Sequence, residues 1–421
     1  MTANTWTSTI DRIIPRARLT SGLLLLFAGL VLLILFGFNT EPGQHTTFGL
    51  NLVASQAIPI PDMVLPAQPS IYVLSLVLAF LGAWQMAKGT KSNGLLIFIF
   101  AFCFVAAFML WAARDKSFSL VGMLSSTVVR ATPIALAALC GVISERAAVV
   151  NIGIEGIMLL AAQTAVVSAT LSGNLYVGLL VAILTGALIA AGHAFLVIRF
   201  KVDQIVSGVA INIFGAGVTS FLSSRFLERN TDTLNSSGIF PVLSVPGLSK
   251  IPLLGPIFFE NNLIVYLTIF LVVILHILLF YTPWGLRTRA VGEHPKAADT
   301  LGVNVYLTRY VNVILGGMIA GIGGAYFTIG SVGRFDEIMT AGKGFIGLAA
   351  MIFGKWSPIG AYMSSLIFGF ADSLQVKLQI LRVPIPSEFL LMAPYIVTMI
   401  VLTGVVGRAN PPAADGQPYE K

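Results

Sequence analysis

Apolar runs separated by short basic or turn-forming clusters repeat along almost the whole chain. Several approach or pass the ~20 residues that a helix needs to cross a bilayer core. A membrane barrel strand is about ten residues long and alternates polar with apolar positions. Runs such as Gly22–Phe38 and Leu263–Tyr281 do not alternate. The pattern predicts helical spans over Leu19–Phe38, Ile71–Ala87, Leu95–Ala113, Phe118–Ile143, Val149–Leu171, Tyr176–Ile198, Val202–Ser224, Asn262–Thr282, Tyr310–Ile329 and Phe389–Val406. Gly344–Gly354 is too short to span comfortably at about 1.5 Å per residue. It is followed by Lys355-Trp356-Ser357-Pro358 and a second apolar stretch, Ile359–Phe370. Two short helices in a hairpin or broken pair are predicted there. Irregular backbone of this kind is tolerated in a membrane only where it is buried in protein or lines a cavity. The expected fold class is all-α: a polytopic transmembrane helical bundle of about 10–12 crossings, including the broken helix pair.

The placement of basic residues orients these spans. Arg12, Arg16 and Arg18 precede the first, Lys88 and Lys91 follow the second, and Arg199 and Lys201 follow the sixth. The longest basic loop, Pro283–Thr308, carries Arg287 and Arg289. The loop Asn39–Ser70 has no Lys or Arg and five prolines, as an external loop permits. Consistent alternation puts both termini in the cytoplasm, with Arg225 and Arg229 as exceptions to a statistical rule. The first apolar run exceeds the ~7–15 residues of a signal-peptide core and no small-x-small site follows, so it reads as an uncleaved anchor. Three segments are expected: residues 1–92, two spans and the Pro-rich loop; residues 93–408, a core; residues 409–421, a polar cytoplasmic tail.

Composition agrees. Hydrophobic residues make up 56% of the chain and charged residues 10%, against about 25% charged in a soluble domain. The net charge of +7 does not point to nucleic acid, because the basic residues sit at span ends rather than along a phosphate groove. Cys103 and Cys140 lie in apolar segments and the four histidines show no ligand spacing, so no metal, cofactor or disulfide is expected. There is no G-x-x-x-x-G-K-[ST]: Gly342-Lys343-Gly344 and Gly354-Lys355-Trp356 both fail after the lysine. No H-E-x-x-H or G-x-S-x-G occurs either, so the chain reads as no enzyme.

Three regions depart from plain membrane filler. In Pro283–Thr308, Pro295 suits a first helical position, Ala297, Ala298 and Leu301 form a narrow apolar stripe, and Gly302 can end the helix left-handed. A helix of about two turns follows, on a loop that is either an ordinary basic turn or a contact for another protein. In Ser144–Gly156, Asn151 and Glu155 share a helix face. They are either functional groups or structural hydrogen-bond partners facing the bundle interior. Glu145 and Arg146 read as interfacial. Gln204 and Asn212 also share a face and can line a polar solute path, while Gly208, Gly215, Gly217, Gly316, Gly317, Gly321 and Gly324 read as helix-packing positions.

Four stretches together resemble a known family. ERAAVVNIGIEGIMLLAA, VDQIVSGVAINIFGAG, PWGLRTRAVGEHPKAADTLGVNV and FIGLAAMIFGKWSPIGA occur in that order. They are similar to the nucleoside/simple-sugar branch of ABC importer permeases, related more distantly to ribose- and branched-chain amino-acid-type permeases. The likeness runs roughly from Leu95 to Arg408; the N-terminal two-span extension departs from it. The resemblance implies a permease subunit in a bacterial inner membrane that moves nucleosides by alternating access. Its implied partners are an ABC ATPase subunit, a second homologous permease chain and an extracytoplasmic solute-binding lipoprotein. It makes Glu293, His294, Pro295, Ala297, Ala298, Leu301 and Gly302 the ATPase-coupling contact, and Asn151, Glu155, Gln204 and Asn212 the translocation lining. A simple-sugar permease of the same type is the alternative within the family. An ion-coupled secondary transporter, with similar broken helices, and a membrane scaffold are the alternatives outside it.

Overall fold

The computed structural model describes residues 4–52, 60–89, 93–383, 385–392 and 410–420. The chain forms two compact units, Met1–Gly122 with Gln375–Leu390, and Met123–Leu374 with Leu391–Lys421.

In the first unit, α1 (Asn4–Leu32) runs on through a wider π turn at Leu33–Gly37 and packs against α2 (Ala67–Ala87), beside α3 (Asn93–Ala112). Backbones of α1 and α2 touch where a Cβ on Gly82 would stand 2.7 Å from the Gly22 carbonyl. The loop read as merely Pro-rich supplies β1 (His45–Gly49) and β2 (Met63–Pro66), which pair antiparallel with Thr47 opposite Val64. β3 (Ser117–Ser119) joins β1 in parallel, Phe48 facing Phe118. Their β-branched and aromatic residues favour this pairing. Residues this few give no periodic signal in the sequence.

The second unit is helical. It contains most of α4 (Leu120–Arg146), then α5 (Ile154–Ser172), α6 (Leu175–Ala194, continuing as a π turn through Arg199) and α7 (Gln204–Leu222, continuing through Leu227). Between α7 and the next long helix lie the short α8 (Thr231–Leu234), β4 (Val242–Ser244), α9 (Leu254–Phe258) and β5 (Glu260–Asn262), with β4 and β5 antiparallel. Then come α10 (Leu263–Tyr281), α11 (Pro283–Glu293), α12 (Pro295–Thr300), α13 (Val305–Phe327, continuing through Val332), α14 (Lys343–Phe353) and α15 (Pro358–Ile380). Helix starts are set by short polar residues that accept from the first free amides. Asn174 caps α6, Asp203 caps α7, Asn262 caps α10 and Asn304 caps α13.

Among the described residues, nine helices are long and apolar enough to cross a membrane. They match, in order, the spans predicted from Leu19–Phe38 to Tyr310–Ile329. α14, at 11 residues, is the short arm of the predicted pair. The second arm is longer than expected. α15 has 23 residues, because the helix continues past Phe370 through Asp372, Gln375 and Lys377, where the apolar pattern stops. Asp372 is paired, as described below. Of the predicted span Phe389–Val406, residues 393–406 lie outside the described residues, and α16 (Ser387–Leu391) covers its start.

The core of the second unit centres on α13, which packs against α5 and α6 along a glycine face. A Cβ on Gly317 would stand 2.2 Å from that of Ala190, and one on Gly324 would stand 2.3 Å from the Met158 carbonyl. Small residues here let backbones approach within side-chain distance. Gly317→Leu is expected to destabilise the fold by about 1–3 kcal/mol or more, as overpacking does. It should appear as a lower midpoint in thermal unfolding of the detergent-solubilised protein. Gly217→Ala, with nothing within 4 Å of its Cβ, should not lower that midpoint, since alanine also favours the helix over glycine.

Candidate functional site

α4 ends in a left-handed cap. Ala148 N donates to Glu145 O at 2.9 Å and Val149 N to Ser144 O at 3.1 Å, with Ala148 at φ 62°. This is the paired hydrogen-bond closure usually made by glycine. The chain then stays out of helix until α5 begins at Ile154. Side chains of the turn itself and of neighbouring helices take up the freed main-chain groups. Gln204 Oε1 accepts from Val150 N at 2.6 Å, and Asn151 Oδ1 accepts from Gly153 N at 3.1 Å. Asn212 bridges the turn, accepting from Gly156 N at 2.8 Å and donating to Ile152 O at 2.9 Å. His193 Nε2 lies 3.0 Å from Val150 O and Nδ1 2.9 Å from Ser207 Oγ. A carbonyl only accepts, so Nε2 carries the proton and Nδ1 takes the serine's. His193 was not singled out in the sequence, although a histidine inside an apolar span is itself a signal.

Glu155 serves a second irregular segment. Its Oε1 accepts from Thr340 Oγ1 at 2.6 Å and Gly342 N at 2.8 Å, and Oε2 accepts from Gly344 N at 2.6 Å. The carboxylate therefore caps the N-terminus of α14, where free amides and the helix dipole favour a negative charge. Each of Asn151, Glu155, Gln204 and Asn212 thus bonds a main-chain group of 150–156 or 342–344. Nearby, Asp372 accepts from both Lys343 Nζ at 3.1 Å and Arg130 at 3.2 Å, tying α14, α15 and α4. Sequence reading missed this trio, which shows only as charges interrupting apolar spans. A cavity of about 390 Å³ opens between α5, α6 and α7 near Gln163, Thr164, Ser168 and Phe226 and includes none of the four predicted path residues.

Glu145 and Arg146, read as interfacial, clamp the turn between α14 and α15. Trp356 Nε1 donates to Glu145 Oε2 at 2.5 Å, and Arg146 donates from Nε to Trp356 O at 2.8 Å and from Nη2 to Lys355 O at 3.2 Å. α11 crosses the same helix end so closely that a Cβ on Gly292 would stand 2.3 Å from the Arg146 carbonyl.

The loop Pro283–Thr308 holds two helices rather than one. Thr282 caps α11 ahead of Pro283 just as His294 caps α12 ahead of Pro295, accepting from Ala297 N at 3.4 Å. The repeated cap-proline pair was the available signal. α12 closes as predicted at Gly302, φ 83°, with Val303 N donating to Ala298 O at 3.0 Å. Glu293, His294, Ala297 and Leu301 are exposed, Leu301 at 84%, and Pro295 is half-buried. Ala298 is not on this outer face. It is 3% exposed, buried against Val291, Val305 and Tyr419 of its own chain. An alanine stripe looks alike from either side; only the residues packed beneath decide which side is inward.

Tyr419 belongs to the segment expected to be a polar cytoplasmic tail. Residues 410–420 lie along this end of the unit: Ala414 N donates to Gly292 O at 2.9 Å and Arg309 Nη1 to Gln417 O at 3.0 Å. Burial pushes the Asp415 carboxyl up to about 6, against smaller lowering effects of its hydrogen bonds to Glu145 and Gly416 N–H and of the nearby Arg309 charge.

Two outcomes follow from these contacts. Glu155→Gln keeps the size but removes the charge and one acceptor, and should destabilise the fold by about 1–3 kcal/mol, read as a lower unfolding midpoint in detergent. The raised Asp415 pKa means that the protonated form favours the seated segment. Seating is strongest below the ordinary 3.8 and weakens as pH rises through about 6. A spin label on the exposed Gln417 should gain mobility across that range, and should not do so in Asp415→Asn.

The family model described as branched-chain amino acid transport system / permease component matches residues 123–405. The guanosine ABC transporter permease protein NupQ of Bacillus subtilis is 44% identical over 309 residues, which is 70% of this chain and 95% of the relative. The nucleoside ABC transporter permease protein NupC of Lactococcus lactis is 42% identical over 310 residues, 71% of this chain and 96% of the relative. A putative glucose ABC transporter permease protein of Haloferax volcanii, TsgC13, is 37% identical over 262 residues, 61% of this chain and 78% of the relative. No solved structure matches. With that family model spanning more than half of a multi-pass helical chain, the protein belongs to the permease-component family of branched-chain amino acid-type transport systems.

Proposed function

We propose that this chain is the membrane-spanning permease subunit of an ATP-driven importer of nucleosides. The observation that carries the reading is α12: a capped, six-residue helix held against the bundle by Ala298 and presenting Lys296, Ala297, Thr300 and Leu301 outward. A large apolar side chain exposed at the tip of a polar loop suits a contact with another protein. The chain's sequence lacks a phosphate-binding lysine loop, so hydrolysis falls to a separate ATPase subunit that grips α12 on the cytoplasmic side. Both termini lie on that side, in a bacterial inner membrane.

The partner set includes a second, homologous permease chain. Bacillus subtilis and Lactococcus lactis each have, besides NupQ and NupC, a more distant permease relative of this chain, NupP and NupB. An extracytoplasmic binding lipoprotein delivers the solute. Relatives named for guanosine and nucleosides support a nucleoside cargo, while the putative glucose permease relative favours a sugar as the second reading. In this reading Asn151, Gln204 and Asn212 shape the wall of the path by fixing the turn at residues 147–153, and Glu155 fixes the start of α14. A ligand shifts the outward and inward states only through its different affinity for them.

In proteoliposomes holding the complete importer, radiolabelled nucleoside uptake should require ATP on the side of α12, persist without an ion gradient and be competed by nucleosides rather than glucose. Uptake driven by an ion gradient alone would contradict the proposal. Leu301→Asp places a charge in the contact. It should weaken co-purification of the ATPase subunit at least tenfold, about 1.4 kcal/mol, without lowering the unfolding midpoint of the isolated chain.

A further inference from the structure

We infer that residues 410–420 form a strap that carries displacement of α12 to the turn at residues 147–153, with Tyr419 and Asp415 as its positioning residues. The inference rests on the reading of α12 as the driven helix.

Several contacts support it. The inward face of α12 rests on the strap. Ala298 packs with Tyr419, whose hydroxyl meets Asp299 and whose ring lies 5.3 Å from that of Tyr306. From there the chain runs back through Gln417, bonded to Arg309, to a tight turn in which Asp415 N donates to Pro412 O at 3.0 Å. Gly416, at φ 73°, sits against the driven end: a Cβ there would be 3.6 Å from Val150 Cγ2. Asp415 is hydrogen-bonded to Glu145, the residue that also holds Trp356. Ala414 and Ala413 bond Gly292 O and Glu293 Oε2, at 2.9 and 3.3 Å. Eleven residues thereby touch α4, α11, α12, α13 and the turn that Asn151, Gln204 and Asn212 hold.

The geometry also gives a load on α12 this route, besides the contact of α11 with the end of α4. α12 is six residues long and ends in a left-handed turn, so its own backbone carries motion only into its flanks. Its one buried side chain, Ala298, passes force to Val291, Val305 and Tyr419. The first two lie on the helices that flank it in sequence. Tyr419 leads to a distant part of the chain, through a segment pinned at Gly292 and Arg309.

The test is the amount of solute moved per ATP hydrolysed by the reconstituted complete importer carrying Tyr419→Ala. The strap predicts that the ATPase subunit still co-purifies and hydrolyses ATP, while solute moved per ATP falls at least tenfold. Tyr419→Phe, which keeps the ring against Ala298, should restore most of it. An unchanged ratio in Tyr419→Ala would overturn the inference. So would a parallel loss of assembly, hydrolysis and uptake, which would make Tyr419 a determinant of folding alone. A wild-type complex whose uptake ignores ATP would instead defeat the proposed function itself, so the two failures are distinguishable.

Discussion

Main-chain N–H and C=O groups that leave helical geometry among apolar helices find no water, and each then needs a partner within the protein. Two such departures in the second unit lie between α4 and α5 and before α14. Glu155 stands at the meeting of the two. It lies in the first turn of α5 and caps α14, so one carboxylate ties the starts of two helices together. Asn151, Gln204, His193 and Asn212 perform the same service for the turn at residues 147–153. Had these side chains been apolar, the freed groups would each have cost a few kcal/mol. The continuous-helix alternative would then compete.

That constraint has a mechanical consequence. Side chains that hydrogen-bond backbone, rather than one another, hold segments of different helices at fixed separation. Glu145 and Arg146 extend the scheme to the turn after α14, and the close approach of Gly292 to Arg146 brings α11 against the same helix end. α12 and the strap of residues 410–420 rest on this assembly. In the proposed reading, a push on Leu301 is received by a bundle in which the breaks between α4 and α5, before α14 and after α14 are tied to regular helices. A bistable pair of such bodies is the usual way in which a small displacement becomes a large one.

Much of this was legible in the sequence. Span positions follow from apolar run length, and the nine observed long helices coincide with predicted ones. α12 was predicted with its Pro295 start and Gly302 end, because capping chemistry is local. Asn151, Glu155, Gln204 and Asn212 were recognisable as out of place in apolar segments, but their partners were not. A polar side chain in a span says that it has a partner and does not say whether that partner is a solute or an amide. The side of α12 on which Ala298 lies depended on Tyr419, more than a hundred positions away in sequence, so no local pattern could reveal it. The strap itself reads as a polar, Pro-containing tail; its burial comes from Pro412, Ala414 and Tyr419, too few to show a period. α15 ran past its apolar stretch because Asp372 is neutralised by Arg130 and Lys343, helices apart.

With α12 as the driven helix of the proposed importer, these clamps make the second unit move as one body. The most direct measurement is electron–electron distance spectroscopy on the assembled importer, with spin labels on the exposed Leu286 of α11 and Leu171 of α5. Between the ATP-free and ATP-bound states, that intrachain distance should change by less than ~2 Å, while the distance from Leu286 to the second permease chain changes by several ångströms, as in rigid-body rotation about an interface. A change within the chain as large as the change between chains would contradict it.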